Sequence, residues 1–271
     1  MDQLKANYSS SESDTSEEIC QEPTSVFPKI PEAILDKYHL KPSVGGGMKP
    51  HGFTSFIYFE WRPNKMQRTQ LFRVVNHFNK ACRGSGILSL RRLRFEPLHL
   101  SALGSPEPLH ISLTRTLQFS NELQRDLFHQ SLASNLVQSP IEPFEIDFEP
   151  SLQVLDSQFR DRMFLTVPVA SKLKYQYFSM LGKILKDSLR TVFPRLGAQE
   201  INSMICAPES VHMSIAVAEG MTSSPLAIFA QEQTPLGPIP SWSVSHMKFD
   251  KNRESLKMPF NRNNDHMTNF N

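Results

Sequence analysis

The sequence predicts a mixed fold of strands and helices, α+β or α/β, rather than an all-helical or all-β one. The first observation is that segments with strand and helix periodicity follow one another in two comparable rounds along the chain. The second is composition, since 39% of the 271 residues are apolar, which is enough to bury a sizeable core. A short sequence match between the two rounds, described below, is the third.

The first round begins with an aromatic strand over residues 53–61. Its apolar residues only partly keep a two-residue period, so we expect both faces of this strand to be covered. A helix over 67–82 follows, and the glycine-containing stretch 83–86 ends it. Strands at 98–103 and 109–113 precede a second helix at 121–136. The residues expected on the buried faces of the two helices are Leu71, Val74, Val75, Phe78, Leu123, Leu127, Leu132 and Leu136.

The second round is comparable to the first and again combines strands with a helix. Two strands at 144–148 and 162–167 open it, the first with clean alternation of apolar and polar residues. Ser171 is expected to cap a long helix, 172–192, which Pro194 and Gly197 stop. Strands at 211–218 and 243–249 close the domain.

Outside the domain, predicted to span 50–262, the chain looks unlike a packed core. Residues 1–28 are rich in Ser and acidic residues, which predicts a disordered tail; 29–49 reads as a flexible segment leading into the domain, and 263–271 as a C-terminal tail. The net charge of +2 is the sum of two unlike parts, because residues 1–22 hold six acidic side chains and one Lys. The remainder has a charge of +7, which tolerates a polyanionic partner.

Several function classes are excluded at this stage. No run of 18 apolar residues exists, and the polar N-terminus lacks the apolar stretch of a signal peptide, so we expect no membrane span. The three cysteines, Cys20, Cys82 and Cys206, show neither a disulfide framework nor metal-ligand spacing. We expect no cofactor, no metal and a reducing intracellular compartment.

The internal match is a pentapeptide of apolar residue, His, apolar residue, Ser and apolar residue. It occurs at residues 109–113 and again at 211–215, each time in a predicted strand. Successive strand side chains point to opposite faces, so His110 shares a face with Ser112, and His212 with Ser214. Independent placement of residues predicts about 0.1 such pentapeptides in a chain of this composition, so the pair indicates a function.

Two imidazoles and two hydroxyls suit in-line displacement at phosphorus. Histidine titrates near neutral pH, so one ring can act as a base while the other acts as an acid. In RNA, the base would remove the proton of a ribose 2′-OH that attacks the adjacent phosphate, and the acid would protonate the departing 5′-oxygen. Ser112 and Ser214 would donate hydrogen bonds to the non-bridging oxygens. This chemistry needs no metal, and DNA, which has no 2′-OH, should not be cut.

At this point the sequence resembles a known family. The paired His-x-Ser motifs are those of the 2H phosphoesterases, and the surrounding sequence resembles the U6 small nuclear RNA 3′-end phosphodiesterases over residues 50–260. The similarity includes the Pro-His-Gly of 50–52 before the aromatic strand, Pro208 before the second motif, and the closing Met258 and Pro259. Some members of the family have a tyrosine that stacks on the terminal base just upstream of the second motif, where this chain has residues 204–208, Met-Ile-Cys-Ala-Pro.

The resemblance implies an α+β fold with two pseudosymmetric lobes, each an antiparallel sheet backed by helices, around a central groove with the four motif residues. It also implies a nuclear, monomeric, metal-independent 3′-to-5′ exoribonuclease that acts in splicing by trimming the oligouridine tail of U6 small nuclear RNA. The product would end in a 2′,3′-cyclic phosphate or, once that ring is opened, in a terminal phosphate.

Weaker candidates surround the motif residues. Thr114 falls on the predicted strand face of His110 and extends the phosphate site in this interpretation. The densest basic clusters are candidates for contacts with RNA phosphates, and two tyrosines at i and i+2 of a predicted helix are candidates for base stacking, although they cannot both face the groove. These weaker RNA-binding candidates are Arg91, Arg92, Arg94, Lys248, Lys251, Tyr175 and Tyr177.

Two alternatives stay open. One is a different 2H activity, which opens 2′,3′-cyclic phosphates or cleaves 2′,5′ linkages. The other is a catalytically silent RNA-binding assembly factor that keeps the lobes but not the turnover. Sequence alone does not assign the base and the acid, because the two motifs are nearly identical.

Overall fold

The computed structural model describes residues 53–157, 161–220, 224–235, 237–251 and 254–260. The predicted tails, the flexible segment 29–49 and residues 50–52 lie outside this part of the chain. Within it, no helix is long and apolar enough to cross a membrane.

The described residues form eleven strands and six helices. The strands are β1 Phe53–Trp61, β2 Glu96–Pro97, β3 Leu109–Ser112, β4 Leu117–Phe119, β5 Phe144–Ile146, β6 Gln153–Asp156, β7 Arg162–Pro168, β8 His212–Glu219, β9 Trp242–Val244, β10 His246–Lys251 and β11 Glu254–Pro259. The helices are α1 Lys65–Gly84, α2 Leu88–Arg91, α3 Glu122–Val137, α4 at 171–192, α5 Ala198–Met204 and α6 Ser224–Glu232. Helix α4 runs as Ser171–Leu173, a π-helical stretch Lys174–Phe178, and Ser179–Val192.

Nine of these strands form one antiparallel sheet in the order β11-β10-β1-β3-β8-β7-β6, with β4 added to β1 and β2 added to β8. Strands β5 and β9 form a separate pair. One half of the large sheet contains β11, β10, β1 and β3, and the other contains β8, β7 and β6. The halves meet where β3 lies beside β8, and one residue pair, Ile111 with Met213, sets the register of these two strands. An antiparallel sheet combined with helices confirms the predicted α+β class, and the strands that carry the two motifs are central neighbours.

The core lies between the sheet and the helices. Ile57 and Phe59 on β1 are fully buried, as are Ile111 and Met213 where the halves join. The opposite face of β1, which carries Phe56 and Tyr58, is only half buried. The expectation that β1 is covered on both faces is therefore wrong: its second row of aromatic residues lines a surface pocket.

Helix α1 begins with a capping box, in which Asn64 and Gln67 bond to each other's backbone N–H groups. The four residues predicted for its buried face, Leu71, Val74, Val75 and Phe78, are all fully buried. This confirms the periodicity of the first helix.

Helix α3 buries only part of the predicted face: Leu132 and Leu136 are buried as expected, whereas Leu123 and Leu127 are not. Leu123 and Leu127 are 69% and 48% exposed, whereas Arg125, Phe128, Leu132 and Leu136 are buried. The buried set has spacings of three and four residues, which place side chains one above another on a helix. Leu127 and Leu132 are five residues apart and lie on different faces of the helix. The row of leucines in the sequence therefore does not mark the buried face of α3.

Three further predictions are corrected. Residues 98–103 form no strand: after β2 the chain turns at Gly104, whose φ of 77° favours glycine. Ser171 does not cap α4, because Ala170 occupies the N-cap and the backbone N–H of Ser171 donates to Glu149 Oε1. The predicted strand 243–249 is divided between β9 and β10, which belong to different sheets.

Candidate active site

The four motif residues lie together where the two halves of the sheet join. Ile111 and Met213 are opposite each other and fully buried, so the residues on either side of them point to the other face. Counting outward from this pair in antiparallel strands puts His110 on the side of Ser214 and Ser112 on the side of His212. Each imidazole therefore has the hydroxyl of the other motif beside it as well as that of its own.

A backbone hydrogen bond orients the His212 ring. Its Nδ1 lies 2.7 Å from the carbonyl oxygen of Ser210, so Nδ1 carries the proton and donates it. In the neutral ring, Nε2 is then left with a free electron pair, which is the form that a general base needs. Burial lowers the pKa of His212, the Ser210 carbonyl opposes this shift, and the Lys174 charge adds to it.

His110 sits among aromatic and charged neighbours. The rings of Phe56 and Tyr58 meet its ring edge to face, with centroids 5.8 and 5.9 Å away. The His110 side chain keeps an exposed surface, but the protein groups around its ring displace water, which disfavours the charged form and lowers its pKa; the positive charge of His212 lowers the pKa further, and Glu60 opposes both. Because the two imidazoles influence each other electrostatically, protonation of one disfavours protonation of the other.

Glu60 connects His110 to a cluster of cations. It lies opposite His110 on β1, and its carboxylate bonds Arg62 Nε and Lys248 Nζ, each at 2.7 Å. Burial alone would raise the pKa of Glu60, but the hydrogen bonds and charges of Lys248 and Arg62 outweigh it and hold the pKa below its usual value. Glu60 therefore stays ionised and favours a protonated His110. This carboxylate was not among the residues predicted from the sequence, although its place on the same face of β1 as Phe56 and Tyr58 follows from the two-residue period of a strand.

Within the described part of the chain, the hydroxyls of Ser112 and Ser214 form no hydrogen bond with another protein group. Both residues are half buried. Their face also carries Tyr58, opposite Ser112 on β1. Two hydroxyls held by packed strands can donate to phosphate oxygens without rearrangement.

Thr114 does not extend this pair of donors. It is 1% exposed, and its hydroxyl oxygen accepts the backbone N–H of Ile57 at 3.1 Å. The chain has left the regular path of β3 after Ser112, so the alternation that placed Thr114 on the site face no longer holds. Its position is that of a structural contact between β1 and the segment after β3.

The two lysines predicted to contact RNA lie on opposite faces of β10. Lys248 is on the site face, opposite Tyr58, and is paired with Glu60. Lys251 is opposite the buried Ser55 and pairs with α3 instead, through Asp126 at 2.6 Å and Glu122 at 3.6 Å. The spacing of three residues in a strand separates the two lysines, so the second basic cluster is not one surface.

Arg91, Arg92 and Arg94 are exposed in and after α2, and Arg91 Nε bonds the carbonyl of Ser85. The chain then enters β2, which pairs with Val217 and Ala216 of β8. Val217 is three residues beyond Ser214, or about 10 Å along the strand. This basic cluster therefore lies to one side of the motif residues.

The two tyrosines belong to the π-helical stretch of α4 and differ in environment. Tyr177 stacks on the buried Phe144, with centroids 4.0 Å apart, and is part of the packing. Tyr175 is 69% exposed. Their neighbour Lys174 reaches the carbonyl of Glu209 at 3.1 Å and so braces the turn that orients His212. This role of Lys174 was not predicted from the sequence.

A pocket of about 250 Å³ opens beside His110. Its lining consists of Phe56, Tyr58, Glu60, Pro108, Leu109, His110 and Asp250. The signal that could have located it is the pair of aromatic residues at 56 and 58, which share a face of β1. Among the described residues there is no group of three or more His, Cys, Asp and Glu side chains that could hold a metal ion.

Comparisons with known proteins bear on the family and on the fold. The family model described as "HVSL: Uncharacterised conserved protein" matches residues 48–262. No curated protein sequence gives a significant match. Among solved structures, Usb1 of Kluyveromyces marxianus has 15% sequence identity and a TM-score of 0.62, with 77% of this chain and 99% of that chain covered.

The same Usb1 with uridine monophosphate gives 16% identity, 76% and 98% coverage and a TM-score of 0.62. LigT of E. coli complexed with phosphate gives 12% identity, 77% and 95% coverage and a TM-score of 0.36. The fold is that of Usb1, and the resemblance suggested by the two motifs is confirmed. The chain belongs to the HVSL family.

Proposed function

We propose that this protein is a metal-independent RNA phosphodiesterase that removes nucleotides from the 3′ end of an RNA. The observation that carries the proposal is the arrangement of His110, Ser112, His212 and Ser214 on one face of two paired strands. The fold shared with Usb1 supports it, and so does the uridine monophosphate in a solved structure of the same fold.

The environments of the two imidazoles favour different roles. The positive charge of Lys174 disfavours a positive charge on the His212 ring. The hydrogen bond from His212 Nδ1 to the Ser210 carbonyl oxygen leaves Nε2 as an acceptor. Glu60 favours a proton on His110. We therefore assign His212 as the general base and His110 as the general acid.

The reaction then balances as follows. His212 Nε2 takes the proton of the 2′-OH of the penultimate nucleotide, O2′ bonds to phosphorus, and the bond from phosphorus to O5′ breaks. His110 gives its proton to O5′. The products are a 2′,3′-cyclic phosphate and a released nucleoside 5′-OH. Ser112 and Ser214 donate hydrogen bonds to the non-bridging oxygens, where negative charge develops.

The proposed substrate is the oligouridine tail of U6 small nuclear RNA, and the proposed location is the nucleus. The test is incubation of the purified protein with 5′-labelled RNAs that end in oligouridine or oligoadenosine, followed by identification of the new end group. We expect a ladder of one-nucleotide steps from the 3′ end, faster on oligouridine, with cyclic or terminal phosphate ends.

The control RNA has a 2′-deoxyribose at the penultimate nucleotide and should resist the first cleavage. Internal cleavage would contradict the exonuclease polarity, and cleavage of the deoxy control would contradict attack by the 2′-OH. Activity only on 2′,3′-cyclic phosphates or 2′,5′-linked RNA would assign the alternative 2H activities, and binding without cleavage would assign an assembly factor. Imaging of the tagged full chain tests the nuclear location.

A further inference from the structure

Of the residues that line the pocket beside His110, only His110 and Glu60 take part in the proposed acid-base chemistry. We call it the aromatic pocket and define it by Phe56, Tyr58, Glu60, Pro108, Leu109, His110 and Asp250. Its volume of about 250 Å³ lies just below the ~300 Å³ at which pockets for drug-sized molecules begin. A pocket of this size suits one planar ring system rather than a whole dinucleotide.

Two aromatic rings form one side of the aromatic pocket. Phe56 and Tyr58 stack on each other, with centroids 5.2 Å apart and an angle of 21° between the rings. Both side chains are only half buried, so part of their surface faces the pocket. A hydrogen bond of 3.2 Å between the Tyr58 hydroxyl and Ser255 Oγ holds one of the rings in place. Aromatic rings fixed in this way pay little entropy when a flat ligand stacks on them.

The two carboxylates of the pocket differ. Glu60 is neutralised by Arg62 and Lys248. Asp250, opposite Phe56 in the pairing of β1 with β10, has no ion pair within the described part of the chain. Its oxygens remain available to accept hydrogen bonds from the N–H groups on the edge of a base.

The position of the pocket identifies the group that would enter it. His110 lines the pocket and is also one of the four motif residues. A nucleotide whose phosphate lies on these four residues therefore has its base within reach of the aromatic rings. Stacking on aromatic side chains is the common way in which proteins hold single-stranded RNA bases.

We propose that the aromatic pocket is a nucleobase subsite, in which a base next to the scissile phosphate stacks on the Phe56 and Tyr58 rings and Asp250 accepts a hydrogen bond from it. This inference rests on the proposed RNA phosphodiesterase function. Phe56 and Tyr58 then act as positioning residues, which bring the phosphate to His110.

The first test measures binding and does not depend on cleavage. The Kd of uridine monophosphate and of ribose 5-phosphate is measured for the wild type, for Phe56→Leu and for Tyr58→Leu. The matched control is Phe53→Leu, an aromatic residue of the same strand that lies under Arg125 and outside the pocket. Loss of stacking should weaken uridine monophosphate by about 5- to 150-fold in the two pocket variants. Ribose 5-phosphate should change less than about twofold, and Phe53→Leu should leave both ligands unchanged.

The second test uses RNAs that lack one base. Phe56→Leu should raise KM and lower kcat/KM on intact RNA, and the difference from the wild type should disappear when the nucleotide on one side of the scissile phosphate is abasic. Tyr58→Leu provides the same comparison if Phe56→Leu does not fold.

The outcomes separate this inference from the proposed function. If the wild type cleaves RNA in a His110-dependent way but Phe56→Leu and Tyr58→Leu bind and cleave normally, the subsite is wrong and the function stands. An equal loss on intact RNA and on both abasic RNAs also overturns the subsite. If the wild type binds uridine monophosphate through the rings but cleaves no RNA, the function fails and the subsite stands.

Discussion

The proposed chemistry depends, at the residue scale, on two imidazoles with different surroundings. His212 is held by the Ser210 carbonyl and lies near Lys174, whereas His110 lies near Glu60. Both pKa values are below the ordinary value of 6.5 because burial disfavours the charged ring. An acid-base pair of this kind gives a bell-shaped dependence of kcat/KM on pH with its maximum below about 6.5.

The two neighbouring charges should move opposite limbs of that bell. Glu60→Gln removes the charge that raises the pKa of His110, so the alkaline limb should shift to lower pH. Lys174→Met removes a charge that lowers the pKa of His212, so the acid limb should shift to higher pH. The profile of kcat/KM against pH should therefore narrow on its alkaline side in Glu60→Gln and on its acid side in Lys174→Met. A profile that broadens in both variants would exchange the two assignments.

The hydroxyls of the site differ in role, and substitution should reveal it. Ser112→Ala or Ser214→Ala should lower kcat by about 10²–10³-fold, because each removes a donor to the transition-state charge. Thr114→Val should lower the free energy of unfolding by about 1–3 kcal/mol with little change in kcat, because it leaves the buried N–H of Ile57 unpaired. Urea melts and steady-state kinetics measure the two quantities. A loss of kcat in Thr114→Val as large as in the serine variants would contradict this division.

At the scale of elements, the pattern of two-residue and helical periods predicts most of the structure around the site. The motif strands and the buried face of α1 follow from it, because their apolar residues are spaced evenly. The short strands β4, β6 and β11 and the helices α5 and α6 were not predicted from the sequence. Such short strands contain too few repeats to define a period, and β3, which is as short, was predicted because its motif recurs in β8.

Helix α3 offers a direct check of which stripe packs on the sheet. Leu132→Ala should lower the free energy of unfolding by about 2–5 kcal/mol, because Leu132 is fully buried. Leu123→Ala should change it by no more than about 0.5 kcal/mol, because Leu123 is 69% exposed. Urea denaturation of the two variants measures both values, and equal losses would contradict the placement of α3.

For the whole molecule, the sheet makes one site from two distant sequence segments. The repeated motif makes His110, Ser112, His212 and Ser214 candidates, whereas Glu60, Lys174 and Asp250 lie outside it and were not predicted. The two-residue period places Glu60 on the site face of β1, but no local pattern encodes the pairing of β1 with β10 or the contact of Lys174 with the turn before β8. Lys248 and Lys251, although close in sequence, lie on opposite faces because they are three residues apart in one strand.

A buried histidine outside the site should govern the pH dependence of global stability. His99 is fully buried, and burial, with a smaller contribution from the charge of Arg68, lowers its pKa to about 4. The unfolded chain binds a proton near pH 6.5 and the folded protein does not, so stability is lost as the pH falls from about 6.5 towards 4. In urea melts at pH 7 and pH 4, His99→Leu should lose about 3 kcal/mol less stability than the wild type. An unchanged difference between the two pH values would contradict this assignment.

The most direct test of the account is single-turnover cleavage of an oligouridine-tailed RNA by the wild type, His110→Ala, His212→Ala and the double variant, each with and without EDTA. The account predicts that each substitution lowers the cleavage rate at least about 10²-fold. RNA binding should stay within about a few-fold of the wild type, because charge and stacking contacts remain. EDTA should leave the wild-type rate unchanged. Cleavage that persists in the double variant, or that EDTA abolishes in the wild type, would contradict acid-base catalysis by this histidine pair.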